Sequence, residues 1–262
     1  PAPTEIYTFI ASSAASDVYK RQIQDCEAMV HSAFCRPGQG FRGAEGEVVE
    51  FARVNMLGTL QLIESSFLAG IQRFVFVSTC AVHEKILPDR PLDEAHPLWP
   101  YSHYGAHKAA LEKFVHSYGF GAGFPICALR PTGVYGIREP VSASKWYPLV
   151  RAVANNEVVQ VRGAGKEVHA ADVAKAIDIL LTADGITGEA YACYDRYISE
   201  FEVATLAKRF SGSCSQILGD DRTPANQIET GKIRALGMEF GSTHLLHETI
   251  RQLVDCAVAE SD

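Results

Sequence analysis

Short apolar runs alternate along this chain with longer amphipathic segments, a pattern typical of α/β proteins. Arg73–Thr79 is almost entirely aromatic or β-branched, as expected for a strand that is buried on both faces of a parallel sheet. Glu45–Ala69 has apolar residues at helical spacing and stops before Gly70, which predicts a long helix. Further strands are predicted at Ala28–Ala33, Pro125–Leu129, Val158–Val161 and Glu189–Tyr194. Further helices are predicted over Ser102–Tyr118, Ala143–Asn155, Ala171–Ala183 and Thr243–Val258, with helix starts also at Ser199 and Thr230.

The overall composition excludes several classes of protein. The chain of 262 residues has a net charge of −7 at pH 7, and this acidic balance disfavours nucleic-acid binding, which needs a basic surface. No apolar run approaches the ~20 residues that cross a membrane, and no secretory signal is recognisable. The cysteines are odd in number and form no CxxC pair, so we expect buried free thiols in a reducing, cytoplasmic environment and no metal site. They are Cys26, Cys35, Cys80, Cys127, Cys193, Cys214 and Cys256.

One glycine-rich segment matches a dinucleotide-binding pattern only in part. Gly38–Gly43 has the spacing G-x-G-x-x-G and lies between a predicted strand and a predicted helix. The full pattern also needs an acidic residue at the end of a second strand, about twenty residues later. Here that position falls between Gly58 and Glu64, inside the long predicted helix. We therefore expect a surface loop at Gly38–Gly43 rather than a pyrophosphate site.

A tyrosine and a lysine form the candidate chemical centre. Tyr104 and Lys108 are four residues apart and so lie on one face of the predicted helix. A tyrosine phenol has a pKa near ~10, and a neighbouring ammonium lowers it towards the range that is useful for proton transfer. Ser78 and Thr79 follow a buried strand, at the sheet edge where α/β proteins bind ligands. Since this Tyr–Lys spacing is also common on solvated helix faces, the flanking sequence must decide.

The flanking segments resemble one family in both content and order. They are Val54–Thr59 (Val-Asn-x-x-Gly-Thr), Phe74–Val82, Pro100–Glu112, Leu129–Gly136 and Val168–Ala174. Together they resemble the extended short-chain dehydrogenase/reductases, the NAD-dependent epimerase/dehydratase family. Each segment is modest alone, but jointly they are specific, and the resemblance covers roughly Ile23 to Val254.

The resemblance implies a fold and a catalytic set. The fold would be a Rossmann-like parallel sheet flanked by helices, lacking the first βαβ block, with a small C-terminal α/β substrate-binding part. Tyr104 would be the acid/base, and Lys108 would hold the nicotinamide ribose and lower the Tyr104 pKa. Thr79 would orient the substrate oxygen, with Ser78 as the adjacent alternative.

It also implies a cofactor, NAD or NADP. The residues that would approach this cofactor, besides Lys108, are Ser32, Ala33, Asn55, Pro131, Thr132, Gly133 and Val134. Asn55 is equally compatible with a second role, as a polar bridge between helices. Asp172 is expected to be structural, because a carboxylate near a helix start is favoured by the helix dipole.

The N-terminal region departs from the family. The family opens with a glycine-rich strand–loop–helix block, whereas the 29 residues before Val30 contain no glycine. Ser12–Gln22 resembles a translated sequencing-adapter remnant, so residues 1–22 are expected to be non-native or irregular. We expect residues 23–136, with about 168–195, to form the NAD(P)-binding core. Residues 137–167 and 196–262 would form the substrate-binding part.

The resemblance implies an NAD(P)-dependent epimerase, dehydratase or reductase that acts on a nucleotide sugar. Lys145, Arg162 and Lys166 could meet a diphosphate, although solvated loop charges are an equally good interpretation of each. The family's usual arginine before Val168 is replaced by Lys166-Glu167, which favours the alternative of a non-nucleotide alcohol or ketone. A third alternative is a catalytically silent, truncated Rossmann-like fragment. A homodimer is an expectation carried over from the family.

Overall fold

The computed structural model describes Ile23, residues 26–36 and residues 46–260, which divide into two units. The first unit comprises the described parts of Pro1–Pro131, with Ala176–Cys193 and Ile228–Met238. The second unit comprises Thr132–Lys175, Tyr194–Gln227 and the described part of Glu239–Asp262. Relative to the predicted division, the first unit ends earlier, at Pro131, and includes Ile228–Met238. Residues 1–22 and the Gly38–Gly43 pattern lie outside the described residues.

Strands and helices are numbered here in chain order over the described residues. The strands are β1 (Ala28–His31), β2 (Arg73–Val77), β3 (Ile126–Pro131), β4 (Gly133–Tyr135), β5 (Val159–Gln160), β6 (Ala164–His169), β7 (Ala190–Cys193), β8 (Arg196–Ser199) and β9 (Ile217–Leu218). The long helix α1 joins Val48–Ala52, a π-helical turn at Arg53–Leu57, and Gly58–Leu68. The other helices are α2 (His103–His116, then a π-helical turn at Ser117–Gly121), α3 (Tyr147–Ala154), α4 (Ala170–Thr182), α5 (Glu200–Ser211), α6 (Gly231–Ala235) and α7 (Ser242–Ala259).

The first unit is built on a four-stranded sheet in the order β1-β2-β3-β7, with every neighbouring pair parallel. All six residues of β3 are buried, which explains why its sequence is continuously apolar before Arg130. Helices α1 and α2 supply apolar side chains to the core under this sheet, where Ile63 and Leu111 are buried with Phe74 and Phe76. This parallel sheet with flanking helices confirms the predicted Rossmann-like fold class.

The second unit contains two small sheets. Strand β6 pairs in parallel with β4 and antiparallel with β8, while β5 and β9 form a short parallel pair. Helices α3, α5 and α7 share a core that contains Val150, Val203 and Leu253. The helix predicted over Ala143–Asn155 is shorter than expected, because Trp146 has a left-handed backbone (φ 67°) and α3 begins only after it. A short 3₁₀ turn, Val141–Ala143, precedes it.

The cysteines match the prediction in pairing but not in burial. All seven are free thiols. Cys127 and Cys193 are buried because they lie on β3 and β7, whereas Cys35 and Cys214 lie outside strands and helices and are exposed. The expectation of uniformly buried thiols was therefore wrong. No helix among the described residues is long and apolar enough to cross a membrane.

Candidate active site

The residues that follow β2 begin the site. The amide of Ser78 donates to the carbonyl of Leu129 over 2.7 Å, so the pairing with β3 continues one residue past the strand. Thr79 has an extended backbone, and its Oγ1 accepts a hydrogen bond from the amide of Ala81 over 3.1 Å. Both residues are buried. The carboxyl end of β2 is thus held rigidly by its own backbone and by the turn after it.

Helix α2 presents three chemically active side chains at a spacing of four. Tyr104, Lys108 and Glu112 are all buried and lie on one helical face. The helix start is capped by Ser102, whose Oγ accepts from the amide of Gly105 over 3.1 Å. The carboxylate of Glu84 accepts a further hydrogen bond from the amide of Ser102 over 2.8 Å. These caps fix the turn that carries Tyr104.

A glycine lets this helix approach the end of β2. A Cβ on Gly105 would lie 2.6 Å from the carbonyl oxygen of Ala81 and 2.7 Å from the Cβ of Pro100. Only glycine therefore fits where the first turn of α2 meets the turn after Thr79. Sequence reasoning did not single out Gly105. Its place immediately after Tyr104 was the available signal.

Lys108 lies beneath the carboxyl end of β2. Its Nζ donates to the carbonyl of Val77 over 2.8 Å and lies 4.6 Å from the centre of the Phe76 ring. The residue is only 4% exposed. Burial lowers the pKa of Lys108 from 10.5 to about 7, although the nearby Glu112 acts in the opposite direction. The side chain of Lys108 thus joins helix α2 to the end of β2.

The two hydroxyls after β2 are used differently. Ser78 donates its hydroxyl proton to the carboxylate of Glu112. Thr79 accepts from Ala81, which leaves its own hydroxyl proton available to a ligand oxygen. Of the two predicted candidates, the geometry favours Thr79 for orienting a substrate oxygen.

Tyr104 is enclosed by aromatic rings. The ring of Phe34 meets it edge-on with centroids 5.1 Å apart, and His107 lies 5.6 Å away. Phe34 also stacks on His107 and contacts Phe51. Burial is the main cause that lowers the pKa of His107, to about 3, so this imidazole is neutral.

The segment after β1 is tied to the long helix. Asn55 Oδ1 accepts from the amide of Cys35 and its Nδ2 donates to the carbonyl of Cys35, both over 2.8 Å. Nδ2 also donates to the carbonyl of Phe51 over 3.2 Å. These contacts favour the bridging role for Asn55 over direct cofactor binding. Ser32, which is exposed, and Ala33 follow β1 directly and precede this anchor.

The segment predicted to line the nicotinamide spans the boundary between the units. Pro131 ends β3 in the first unit, and Thr132 begins the second. Thr132 Oγ1 is buried and makes no hydrogen bond to any residue that the structure describes. Gly133 and Val134 are exposed on β4. An unpartnered buried hydroxyl beside exposed backbone is what a polar ligand group needs.

The three predicted substrate cations do not share one face. Lys145 pairs with Glu167 over 2.5 Å. Lys166 is the neighbour of Glu167 on β6 and so points to the opposite face of the strand. Arg162 lies in the exposed loop before β6, where its amide donates to Glu200. Of the three, Lys145 is the cation that pairs with the buried carboxylate of Glu167.

A buried ionic network was not foreseen from the sequence. Arg130 donates to both carboxylate oxygens of Glu112 over 2.6–3.1 Å, and to the carbonyl of Glu94 and the Nε2 of His83, each over 3.1 Å. The side chain of Glu94 accepts in turn from the amide of Ala192 over 2.7 Å. In the sequence, Arg130 and Glu112 stand out only as members of the family-like segments Leu129–Gly136 and Pro100–Glu112. Their positions inside otherwise apolar elements were the available signal.

Asp172 and His169 are structural residues in this geometry. The carboxylate of Asp172 accepts from the amide of Gly241 over 3.0 and 3.1 Å, which ties α4 to the start of α7. His169 Nδ1 accepts from the amide of Ala171 over 3.0 Å and so caps α4. Burial lowers the pKa of His169, which keeps the imidazole in the form that can accept.

Comparison with known proteins assigns the family. Residues 11–193 match the model of the NAD dependent epimerase/dehydratase family, and the chain belongs to this family. This confirms the resemblance that was inferred from the motifs.

Named relatives include nucleotide-sugar enzymes. The chain is 34% identical over 164 residues to dTDP-D-glucose 4,6-dehydratase of Mus musculus, covering 61% of the chain and 44% of that protein. It is 29% identical over 181 residues to a 4-hydroxy-2-methyl-3-oxo-4-farnesyl-3,4-dihydroquinoline-1-oxide ketoreductase of Stigmatella aurantiaca, covering 68% of the chain and 52% of that protein. The chain thus spans about half the length of these curated relatives.

Solved structures share the fold at low sequence identity. A UDP-glucose 4-epimerase of Thermotoga maritima, solved with UDP-glucose, superposes with a TM-score of 0.75 at 20% identity, covering 96% of this chain and 84% of that one. RMD of Pseudomonas aeruginosa, solved with NADPH, gives a TM-score of 0.78 at 18% identity, covering 98% and 89%.

Proposed function

We propose that this chain carries the proton-transfer site of an NAD(P)-dependent epimerase, dehydratase or reductase, with a nucleotide sugar as its substrate. The observation that carries the proposal is the position of Lys108, one turn after Tyr104 and bonded to the carbonyl of Val77 next to Ser78 and Thr79. A buried ammonium beside a tyrosine at a strand end is an arrangement that favours phenolate and hence proton transfer. The names of the relatives support the cofactor and the substrate class.

The described residues fit the nicotinamide end of such a cofactor. The Lys108 ammonium has three N–H groups, and Val77 is its single hydrogen-bond acceptor among the described residues. Its other protons can therefore go to ribose hydroxyls. When bound, the cofactor supplies a hydride acceptor and donor.

The chain's own residues then have distinct roles. Thr79 donates its hydroxyl proton to the substrate oxygen and orients it. Tyr104 takes the proton from that oxygen or returns it, and the charge of Lys108 stabilises the phenolate. Ser78 does not act on the substrate, because its proton is committed to Glu112.

A second candidate substrate, a non-nucleotide alcohol or ketone, is favoured by one observation. Glu167 pairs with Lys145 and removes the net charge that a diphosphate would seek. The ketoreductase relative is consistent with this alternative. Calorimetric titration of UDP-glucose and dTDP-glucose into the chain separates the two candidates. Binding of either nucleotide sugar supports the first, and binding of neither, with NADH bound, supports the second.

The site itself is tested by fluorescence titration of NADH and NADPH, followed by turnover assays. We expect saturable binding, unchanged binding in Tyr104→Phe, and at least about a 100-fold loss of turnover in that variant. Thr79→Val should lower turnover far more than the neighbouring change Ser78→Ala, which serves as the matched control. Wild-type turnover in Tyr104→Phe would exclude the proton-transfer role. A folded chain that binds neither cofactor would favour the catalytically silent alternative.

We also propose a homodimer. Apolar side chains remain exposed on α1 and α2, namely Leu57, Phe67, Leu68 and Phe114. Sedimentation velocity of the chain against Leu68→Glu tests this: a dimer that the variant disrupts supports it, and a monomeric wild-type chain at micromolar concentration contradicts it.

A further inference from the structure

Glu112 lies between the elements that build the candidate site. It is completely buried on α2, one turn beyond Lys108. One carboxylate oxygen accepts the hydroxyl proton of Ser78, at the end of β2. Both oxygens accept from the guanidinium of Arg130, on the buried strand β3. One side chain thus connects a helix and two strand ends without any solvent access.

We propose that Glu112 is a positioning residue that holds the end of β2 against α2 and favours the protonated form of Lys108. This inference rests on the proposed function for its purpose, because the charge of Lys108 would act on Tyr104. The physical claim itself concerns only side chains of the folded chain, namely those of Glu112, Lys108 and Ser78.

The geometry requires such a carboxylate. Ser78 immediately precedes Thr79, so a hydrogen bond that fixes the Ser78 side chain also fixes where Thr79 points. Arg130 in turn restrains the carboxylate, since Nε donates to Oε1 and Nη2 donates to Oε2, and two such parallel bonds define the plane of the pair. Rotation of Glu112 away from Ser78 would break this bidentate contact. The end of β2 is therefore positioned by a group that has little freedom to move.

Among the described residues, the other titratable groups near Lys108 are Tyr104 and His107 on α2 and His31 on β1. Burial lowers the pKa of both histidines to about 3. Both imidazoles are therefore neutral near pH 7. Val77 contributes a carbonyl and Phe76 a ring face. Glu112 is the carboxylate that counteracts the effect of burial on the Lys108 pKa.

The test reads the ionisation of Lys108 directly and needs no cofactor or substrate. The chain is labelled with ¹³C at lysine Cε, the Lys108 signal is assigned by its loss in Lys108→Gln, and its midpoint is followed between pH 5 and 11. In Glu112→Gln we expect the midpoint to fall by about one pH unit or more, because burial is no longer opposed by a carboxylate.

Glu64→Gln is the matched control. Glu64 also accepts from a hydroxyl, that of Tyr118, but it is exposed on α1, so the Lys108 midpoint should not move. Should Glu112→Gln fail to fold with Arg130 left unpaired, the double change Glu112→Met with Arg130→Met removes both charges and is read in the same way.

The outcomes separate this inference from the proposed function. A lowered Lys108 midpoint in a folded Glu112 variant, with Glu64→Gln unchanged, supports the role of Glu112 even if NADH does not bind. An unchanged midpoint overturns it even if NADH binds and Tyr104→Phe is inactive. Turnover in Ser78→Ala tests the second part of the proposal, which is that Glu112 positions the end of β2 through Ser78. A several-fold loss of kcat, with KM and the Lys108 midpoint unchanged, supports this part. An unaltered kcat overturns it.

Discussion

The two units contain ion pairs of opposite character. In the first unit, Arg130 and Glu112 are 2% and 0% exposed and are joined by three hydrogen bonds. In the second unit, Lys145 and Glu167 are 36% and 6% exposed, and one contact joins them. The first pair is satisfied by buried protein groups alone, including the Ser78 hydroxyl and the Glu94 carbonyl. The second has a cation that water or a ligand can reach.

This difference shows that similar charges can serve separate purposes. A buried pair whose partner is removed leaves a charge that no water can solvate, so its main effect is to specify one arrangement of strand ends. A pair whose lysine is partly exposed is held more weakly, because water can reach that partner. The first unit therefore fixes the arrangement of its strand ends, while the pair in the second unit is open to solvent on its lysine side.

Removal of Arg130 should have the largest effect on stability. Arg130→Met leaves the Glu112 carboxylate buried and unpaired, and we expect a loss of about 4 kcal/mol in the free energy of unfolding. Urea denaturation measures it. Lys145→Met is the control in the other unit, with a smaller expected loss of about 2 kcal/mol, because Glu167 is buried but its lysine partner is partly exposed. Equal losses in the two variants would contradict the contrast between the pairs.

The second effect depends on pH and concerns Lys108. Burial lowers its pKa to about 7 from 10.5, so between these values the unfolded chain holds a proton that the folded chain has released. This residue therefore makes the chain more stable as the pH rises from 7 towards 10.5 and less stable as it falls. Relative to Lys108→Met, the wild-type chain should gain about 3 kcal/mol between pH 7 and pH 10, as measured by urea denaturation at each pH. A difference that does not change with pH would show that Lys108 is charged throughout.

The smallest effect tests the second unit. A Cβ on Gly133 would lie 2.5 Å from Oε2 of Glu167, so Gly133→Ala should displace this carboxylate and weaken its pair with Lys145. We expect a loss of about 1 kcal/mol in thermal unfolding, because the end of a side chain yields more easily than backbone. Gly231→Ala, where a Cβ would meet no atom within 4 Å, should cost less. A Gly133→Ala chain as stable as wild type would mean that Glu167 is not confined.

The sequence predicted the elements that have a clear local pattern. Strand β2 is a continuous apolar run, and the helix start at Ser199 is confirmed, since its Oγ accepts from the amide of Glu202 over 3.0 Å. The second half of that capping pattern is absent, because the side chain of Glu202 bonds Arg196 instead. Local pattern therefore located the helix but not the partner of its carboxylate.

The sequence did not predict the sheet β4-β6-β8. Strand β6 reads Ala-Gly-Lys-Glu-Val-His, which lacks alternation because Glu167 is buried for its pairing with Lys145. For the candidate site, too, the sequence indicated some residues and missed others. Tyr104, Lys108 and Thr79 follow from spacing and resemblance, whereas Arg130 and Glu112 meet through a contact between distant segments. Such contacts have no local periodicity, so only the folded chain reveals them.

The loop over residues 83–101 is fastened to the sheet by Glu94. The backbone carbonyl of Glu94 accepts a hydrogen bond from Arg130 on β3, and its carboxylate accepts one from the amide of Ala192 on β7. In protein engineering this makes the loop a poor candidate for exchange between relatives by itself. A graft that changes the spacing around Glu94 would break the contacts of the loop with both strands. The loop and its partner residues on β3 and β7 should therefore be exchanged together.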